Sequence, residues 1–211
     1  LFPPEAVGNE RRVLVSELSG RSNILARSKV DMREHPDEMK AVLNRVMELE
    51  RDGYAFENAE ASFDLLVRKT MGTYRPSFEL LAFRVMSEMR PDGEHVSEGT
   101  VKVCVDGTEH HTVSEGEHGP VNALDRALRK ALLPAFPHLK EMHLVDYKVH
   151  IVNARAATEA KVRVVIESAD ARDVWGTVGV SENIIEASCT ALVDSVEYFL
   201  MKSGKRKRRR K

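Results

Sequence analysis

The chain has 211 residues, 42% hydrophobic and 31% charged, with 12 Gly, 8 Pro and 2 Cys. This excludes collagen-like, low-complexity and wholly disordered classes; two cysteines exclude a disulfide framework and favour a reducing compartment, and no apolar run reaches the ~18 residues of a membrane span. The net charge of −1 hides an asymmetry: Lys202 to Lys211 hold eight Lys or Arg and no acid, so residues 1–201 carry 24 basic against 33 acidic side chains, a net of −9.

The chain opens Leu1-Phe2-Pro3-Pro4, without Met or a signal pattern, and reads as a piece of a longer protein. Residues 1–75 read as helices with polar connections. Val13-Leu14-Val15 is a short apolar run. Turn chemistry at Ser19 to Asn23 leads to a short candidate helix over Ile24 to Lys29. Pro36, Asp37 and Glu38 suit the first turn of the next helix. Met39, Val42, Leu43, Val46 and Met47 follow as one buried stripe, and Gly53 stops it. A further helix is predicted over 58–70, with Phe63, Leu66, Val67 and Thr70 on one side. Residues 71–77 form a linker.

After Pro76 the period changes from 3.6 to 2. A strand is predicted over 79–90, alternating on Leu81, Phe83 and Val85, then a turn at Pro91-Asp92-Gly93. A second strand covers 100–105. Asp106-Gly107 is a strong hairpin signal, and 108–115 returns as a third strand. A helix follows over 121–133, striped by Val121, Leu124, Leu128, Ala131 and Leu132. The pattern then repeats: strands over 143–152, 161–168 and 173–181, and a helix over 182–201 striped by Ile185, Ser188, Leu192, Val196 and Phe199. The predicted fold class is α+β. Helical linker subdomains (1–75) precede a tandem βββα-βββα domain (76–201), and a disordered basic tail (202–211) ends the chain. Two such units can cover each other's apolar faces.

Each unit feeds a third strand into a helix N-terminus, at Ser114 to Asn122 and at Gly179 to Ile185. Helix starts carry unpaired N–H groups and partial positive charge, a seat for a carboxylate or phosphate. The plainer reading is two capped helix starts. His110, His111, His118 and Cys104 fit no metal-ligand spacing, and neighbouring strand histidines point to opposite faces. Cys104 and Cys189 read as small buried apolar residues, and Trp175 as packing between sheet and helix. Glu57, Glu60 and Asp64 read as a solvated helix face. No phosphate-loop, dinucleotide or Ser/His/Asp motif is present. The basic tail could engage nucleic acid by counterion release, but it has no aromatic residue for stacking, and the acidic body opposes a polyanion.

Three segments carry a resemblance. Val7 to Asn23 (VGNERRVLVSELSGRSN) resembles the junction after the catalytic barrel in citramalate synthases. Gly119 to Leu128 (GPVNALDRAL) and Trp175 to Ser188 (WGTVGVSENIIEAS) resemble the regulatory domain of the isopropylmalate and citramalate synthase family. The resemblance implies an acyltransferase parent that condenses acetyl-CoA with a 2-oxo acid, pyruvate in the citramalate branch. It places that chemistry, with its divalent metal, on an N-terminal barrel outside this chain. This part is then expected to have no catalytic residue, metal or cofactor, to form a homodimer, and to be cytoplasmic. It is expected to bind isoleucine as feedback inhibitor, or leucine in the isopropylmalate branch.

By the same resemblance, Gly119, Pro120, Val121 and Asn122 line the effector pocket, with Glu182 and Asn183 facing it. Leu144, Tyr147, Ile151, Thr158 and Val162 form its apolar wall; plain core packing is the competing reading for these aliphatics. Strict strand alternation puts Leu144 opposite Tyr147 and Ile151. The wall therefore requires a bulge between them, or a Leu144 that precedes the strand. Inhibition then works through differential affinity for two states, carried to the barrel by residues 36–71. The competitors are a standalone enzyme in the βββα cleft and a nucleic-acid-binding module using the tail.

Overall fold

The computed structural model describes residues 36–116, 118–152 and 160–209. The run Val13–Val15, the candidate helix 24–29, the junction 7–23 and Thr158 lie outside the described residues.

Helix α1 spans Pro36–Arg51 and helix α2 spans Glu60–Thr70. Three strands follow, β1 Glu79–Met89, β2 His95–Val105 and β3 Thr108–Gly116, then helix α3 Pro120–Leu132. A short 3-10 turn, Pro137–Glu141, leads into β4 His143–Ile151, β5 Val162–Ala169 and β6 Val174–Ser181. Helix α4, Ile184–Arg209, ends the described chain. The strands form two antiparallel meanders, β1-β2-β3 and β4-β5-β6. The tandem βββα reading holds.

Both meanders begin with the same irregularity. In β1 the register slips between Leu80 and Ala82, and in β4 between Leu144 and Asp146. The extra residue at each slip turns outward: Leu81 is 39% exposed and Val145 54%. The bulge puts Leu144 on the same face as Tyr147, as the predicted wall requires. It also corrects β1, where Leu80 rather than Leu81 packs on the core with Phe83 and Val85.

The same device docks each helix on its sheet. Thr112 Oγ1 donates to Ala127 O at 2.7 Å, and Thr177 Oγ1 donates to Ala191 O at 2.8 Å. Glycines permit the close approach. A Cβ on Gly99 or Gly116 would lie 2.6 or 2.5 Å from the Ala123 backbone, and one on Gly179 2.1 Å from Ala187 O. One core joins the units: Val101, Val103, Leu124, Leu128 and Leu132 meet Val164, Ile166, Trp175, Leu192 and Phe199. Trp175 is buried between sheet and helix, as predicted, stacked on Phe199 and donating Nε1–H to Ser195.

The linker helices build a second core on β6, from Val42, Val46, Phe56, Phe63, Val67 and Val178. Helix α2 is buried on nearly all sides, because α1, α4 and β6 surround it. Two acids assigned to a solvated face are therefore placed otherwise. Asp64 is buried and paired with Arg68 at 3.1 Å, and Glu60 accepts the Gly176 N–H. Met47 departs from the α1 stripe and is largely exposed, one residue round from the buried Val46. Cys189 is buried, but Cys104 is only half-buried on the open face of β2.

Helix α4 continues through Arg209, past the predicted end at Met201. Lys202 explains the first step of that extension. Its Nζ lies 2.9 Å from Asp173 and 3.2 Å from Asp170, and 4.3 Å over the Trp175 ring. The helix bounds take in Lys202 to Arg209, residues that the sequence alone assigns to the basic tail.

Candidate functional site

The two helix starts differ. Helix α3 begins at Gly119, whose φ of +94° suits glycine, with Pro120 in the first turn and no side-chain cap. A helix start without a side-chain cap is one at which first-turn N–H groups can meet an anion. Asn122 brings an unusual group to this start: its Oδ1 is buried without a hydrogen-bond partner among the described residues. Such an atom carries a desolvation cost until something donates to it.

Helix α4 is closed by its own chain. Asn183 Oδ1 accepts the N–H of Ile185 at 2.9 Å and faces that of Glu186 at 3.4 Å. The Asn183 N–H meets Ser181 Oγ at 3.0 Å, and Ser181 Oγ–H donates to Glu186 at 2.7 Å. This is an N-cap built from local residues. Asn183 and Glu182 are exposed, and the Asn183 carboxamide oxygen is already occupied.

The apolar residues do come together. Ile151 pairs with Val162, and Val162 pairs with Ser181, so these three lie side by side at the α4-start end of the second sheet. Tyr147, Val149 and Ile151 share the face of Val164 and Ile166. Helix α4 lies over β5 and β6, leaving the β4 end of this face open. Ile151 is 64% exposed, while Leu144, Tyr147 and Val162 are half-buried against the core. Ser188 Oγ–H donates to Ile184 O at 2.6 Å, so at 2.9 Å it accepts the hydrogen of the Tyr147 hydroxyl.

Val121 packs against the same core as Leu144, Tyr147 and Val162. No described hydrogen bond or ion pair joins Gly119–Asn122 to Glu182–Asn183. Among the described residues of one chain the candidates form a partly open apolar strip and a helix start without a side-chain cap, not an enclosed cleft. The described hollows lie elsewhere. One of about 600 Å³ opens between α1, α2 and α4, where Arg45 pairs with Glu48 and Lys69 with Asp194. Another of about 130 Å³ is lined by Asn58, Asp146, Lys148, His150 and Glu167. Its Asp146–Lys148 pair holds the Asp146 carboxyl below its ordinary value.

Burial pushes the Cys189 thiol up to about 12, with the Glu186 charge adding to the rise, so this cysteine does not offer a thiolate nucleophile. Among the described residues, no three His, Cys, Asp or Glu converge on a point that could hold a metal ion, and no metal-dependent step is assigned to them. No helix among them is long and apolar enough to cross a membrane. Nothing in the sequence points to the open Asn122 oxygen, whereas the reading of a capped start fits Asn183. The cap had a signal in Ser181-Glu182-Asn183, since Asn before a helical run favours the N-cap.

Residues 57–200 match the LeuA allosteric (dimerisation) domain. The match begins inside the segment read as a linker, in keeping with the packing of α2 on β6. The chain is 50% identical over 203 residues to the (R)-citramalate synthase of Aquifex aeolicus (strain VF5), covering 94% of this chain and 38% of that protein. It is 52% identical over 204 residues to that of Geobacter sulfurreducens (strain ATCC 51573 / DSM 12127 / PCA), covering 95% and 38%. The Synechocystis sp. (strain ATCC 27184 / PCC 6803 / Kazusa) enzyme is 44% identical over 204 residues, covering 93% and 37%. The chain thus spans little more than a third of these relatives. The match over residues 57–200, which takes in both βββα units, means that the chain belongs to the LeuA allosteric (dimerisation) domain family.

Proposed function

We propose that this chain is the regulatory and dimerisation part of a citramalate synthase, binding isoleucine as a feedback inhibitor where two copies meet. Condensation of acetyl-CoA with pyruvate, and the divalent metal it uses, belong in this reading to a barrel outside the chain; this chain alone is inactive. The reading places the parent enzyme in isoleucine biosynthesis, in the cytoplasm.

One observation carries the proposal. The apolar strip of Tyr147, Ile151 and Val162 is only partly covered, with Ile151 64% exposed, in a chain whose α3 start has no side-chain cap and whose Asn122 oxygen has no partner among the described residues. A zwitterionic amino acid needs those three things: donors for its carboxylate, an acceptor for its ammonium and an apolar wall. Among the described residues the three form no closed pocket, and in this reading a second copy completes it. Isoleucine then favours the arrangement of the pair that it bridges, and inhibits by that differential affinity.

Calorimetry with isoleucine, leucine and valine tests this. The expected order has isoleucine tightest, with Tyr147→Ala weakening binding by about tenfold or more through lost apolar contact. Leucine binding tightest would assign the chain to leucine sensing. Binding of none of the three would leave only a dimerisation role.

A further inference from the structure

Two buried or nearly buried carboxylates on α4 have no part in the effector site. Asp194 is 15% exposed at its side chain; its Oδ2 accepts the Ser62 hydroxyl at 2.8 Å and its Oδ1 the Lys69 ammonium at 3.1 Å. Glu197 is 2% exposed and accepts the backbone N–H groups of Ser77 at 2.9 Å and Phe78 at 3.2 Å, with the Tyr74 hydroxyl alongside. Both therefore grip the segment that precedes β1: α2 through Asp194, and residues 74–78 through Glu197.

That segment is also bonded to the edge of the second sheet. The outward N–H groups of Gly176 and Val178 donate to Glu60 and Ser62 at 3.0 Å each, and the Val180 N–H to the Tyr54 hydroxyl. Ser62 closes the circuit, because it accepts from Val178 and donates to Asp194.

The duplicated fold supplies an internal control. The Thr112–Ala127 and Thr177–Ala191 bonds align α3 with α4, which puts Lys130 at the place of Asp194 and Leu133 at the place of Glu197. Lys130 reaches only the Val113 carbonyl of its own unit. The fold therefore docks a helix on a meander without these carboxylates, so docking alone does not account for them.

Helix α4 also carries Ser188, the partner of Tyr147. Six residues, about 9 Å of helix, separate Ser188 from Asp194. We propose that Asp194 and Glu197 are positioning residues, through which α4 transmits the state of the Tyr147 wall to the linker segment 54–78. This rests on the regulatory reading above and names its route. A shift of α4 at Ser188 moves two carboxylates rigidly bonded to α2 and to the entry of β1. The first unit, lacking both, is not part of the route.

Hydrogen exchange on the whole chain tests the relay without any ligand. Tyr147→Phe removes the hydroxyl that Ser188 accepts. The expected result is an acceleration of about threefold to tenfold in the amides of α2 and residues 71–78, with β1–β3 beyond that entry unchanged. In Asp194→Asn, the same Tyr147→Phe change should alter α2 exchange by less than about twofold. A purely structural carboxylate would leave the two changes additive. Should Asp194→Asn not fold, Lys69→Met with Ser62→Ala removes both of the contacts that tie Asp194 to α2. Acceleration confined to β4 and α4, or equal in both backgrounds, overturns the relay. Isoleucine at millimolar concentration is a second probe, expected to protect α2 only when Asp194 is present. If isoleucine changes nothing anywhere, the effector reading fails, and the Tyr147→Phe comparison still decides the relay.

Discussion

The Tyr147 hydroxyl donates to Ser188 Oγ across 2.9 Å, joining the edge strand of the second sheet to the first turns of the helix that covers it. Helix α4 leans away from β4, so this bond fixes where the open end of the sheet begins. Tyr147→Phe keeps the ring and removes the bond. It should lower unfolding stability by about 1 kcal/mol, read as a lower urea midpoint at unchanged slope. No change would mean that water replaces Ser188 at no cost.

Gly179 has room for no side chain, since an added Cβ would lie 2.1 Å from the Ala187 carbonyl oxygen. Gly179→Ala must push α4 off its sheet or bend the strand. A loss of about 1–3 kcal/mol is expected. Gly99→Ala, on the central strand of the first unit, meets the Ala123 backbone at 2.6 Å and should cost a similar amount. Denaturation midpoints of the two variants check this; tolerance of either would show that the helix rides higher than its threonine bond allows.

The tandem βββα plan was legible because its signals are local. Alternation on Val101, Val103 and Val105, the Asp106-Gly107 turn and the Leu124–Leu128 stripe each lie within a few residues of one another. The hairpin turn appears as predicted, with positive φ at both Asp106 and Gly107. What was not legible depends on distant partners. Glu60 and Asp64 look like a wet helix face until β6 and α4 close over them. Lys202 looks like the start of a tail until Asp170, Asp173 and Trp175 fold beneath it. The candidate site is legible in the same proportion: the Tyr147–Ile151–Val162 strip follows from alternation plus a bulge and the Asn183 cap from Ser181-Glu182-Asn183, whereas the open Asn122 oxygen and the Glu197 clamp depend on the fold around them.

Two carboxylates should tilt the pH profile in opposite directions. Burial raises the Glu197 carboxyl above its ordinary value, against the pull of the Phe78 and Ser77 N–H groups and the Tyr74 hydroxyl. An acid raised on folding contributes stability that is full below its unfolded pKa and is lost as pH rises through the folded one. For Asp170, burial is again the largest influence, but the N–H groups of Arg172 and Asp173 together with Lys202 outweigh it, and the net shift is downward. Its contribution is full above the unfolded pKa and is lost as pH falls through the folded one. Glu197→Gln should therefore flatten the loss of stability as pH rises from about 4.3, and Asp170→Asn the loss as pH falls below about 3.9. Urea midpoints across pH 2.5–7 read both; parallel profiles for the two variants would contradict the assignment.

Lys202 tests whether the basic end of the chain begins as structure. Its ammonium sits over Trp175 and between Asp170 and Asp173, with the side chain mostly covered. Lys202→Met preserves the apolar stem and removes the charge. The expected loss is about 1 kcal/mol, accompanied by a shift in Trp175 fluorescence. An unchanged spectrum and midpoint would return Lys202 to the solvated tail.

Isoleucine bridging two chains is tested most directly by the dimer dissociation constant, measured by sedimentation with and without the amino acid. A ligand completed by both copies must tighten the dimer as the dimer tightens the ligand. Saturating isoleucine should lower the dissociation constant by about tenfold or more, and Tyr147→Ala should abolish the effect while leaving the ligand-free dimer intact. An identical dissociation constant with and without isoleucine, in a chain that nevertheless binds it, would contradict a site shared between subunits.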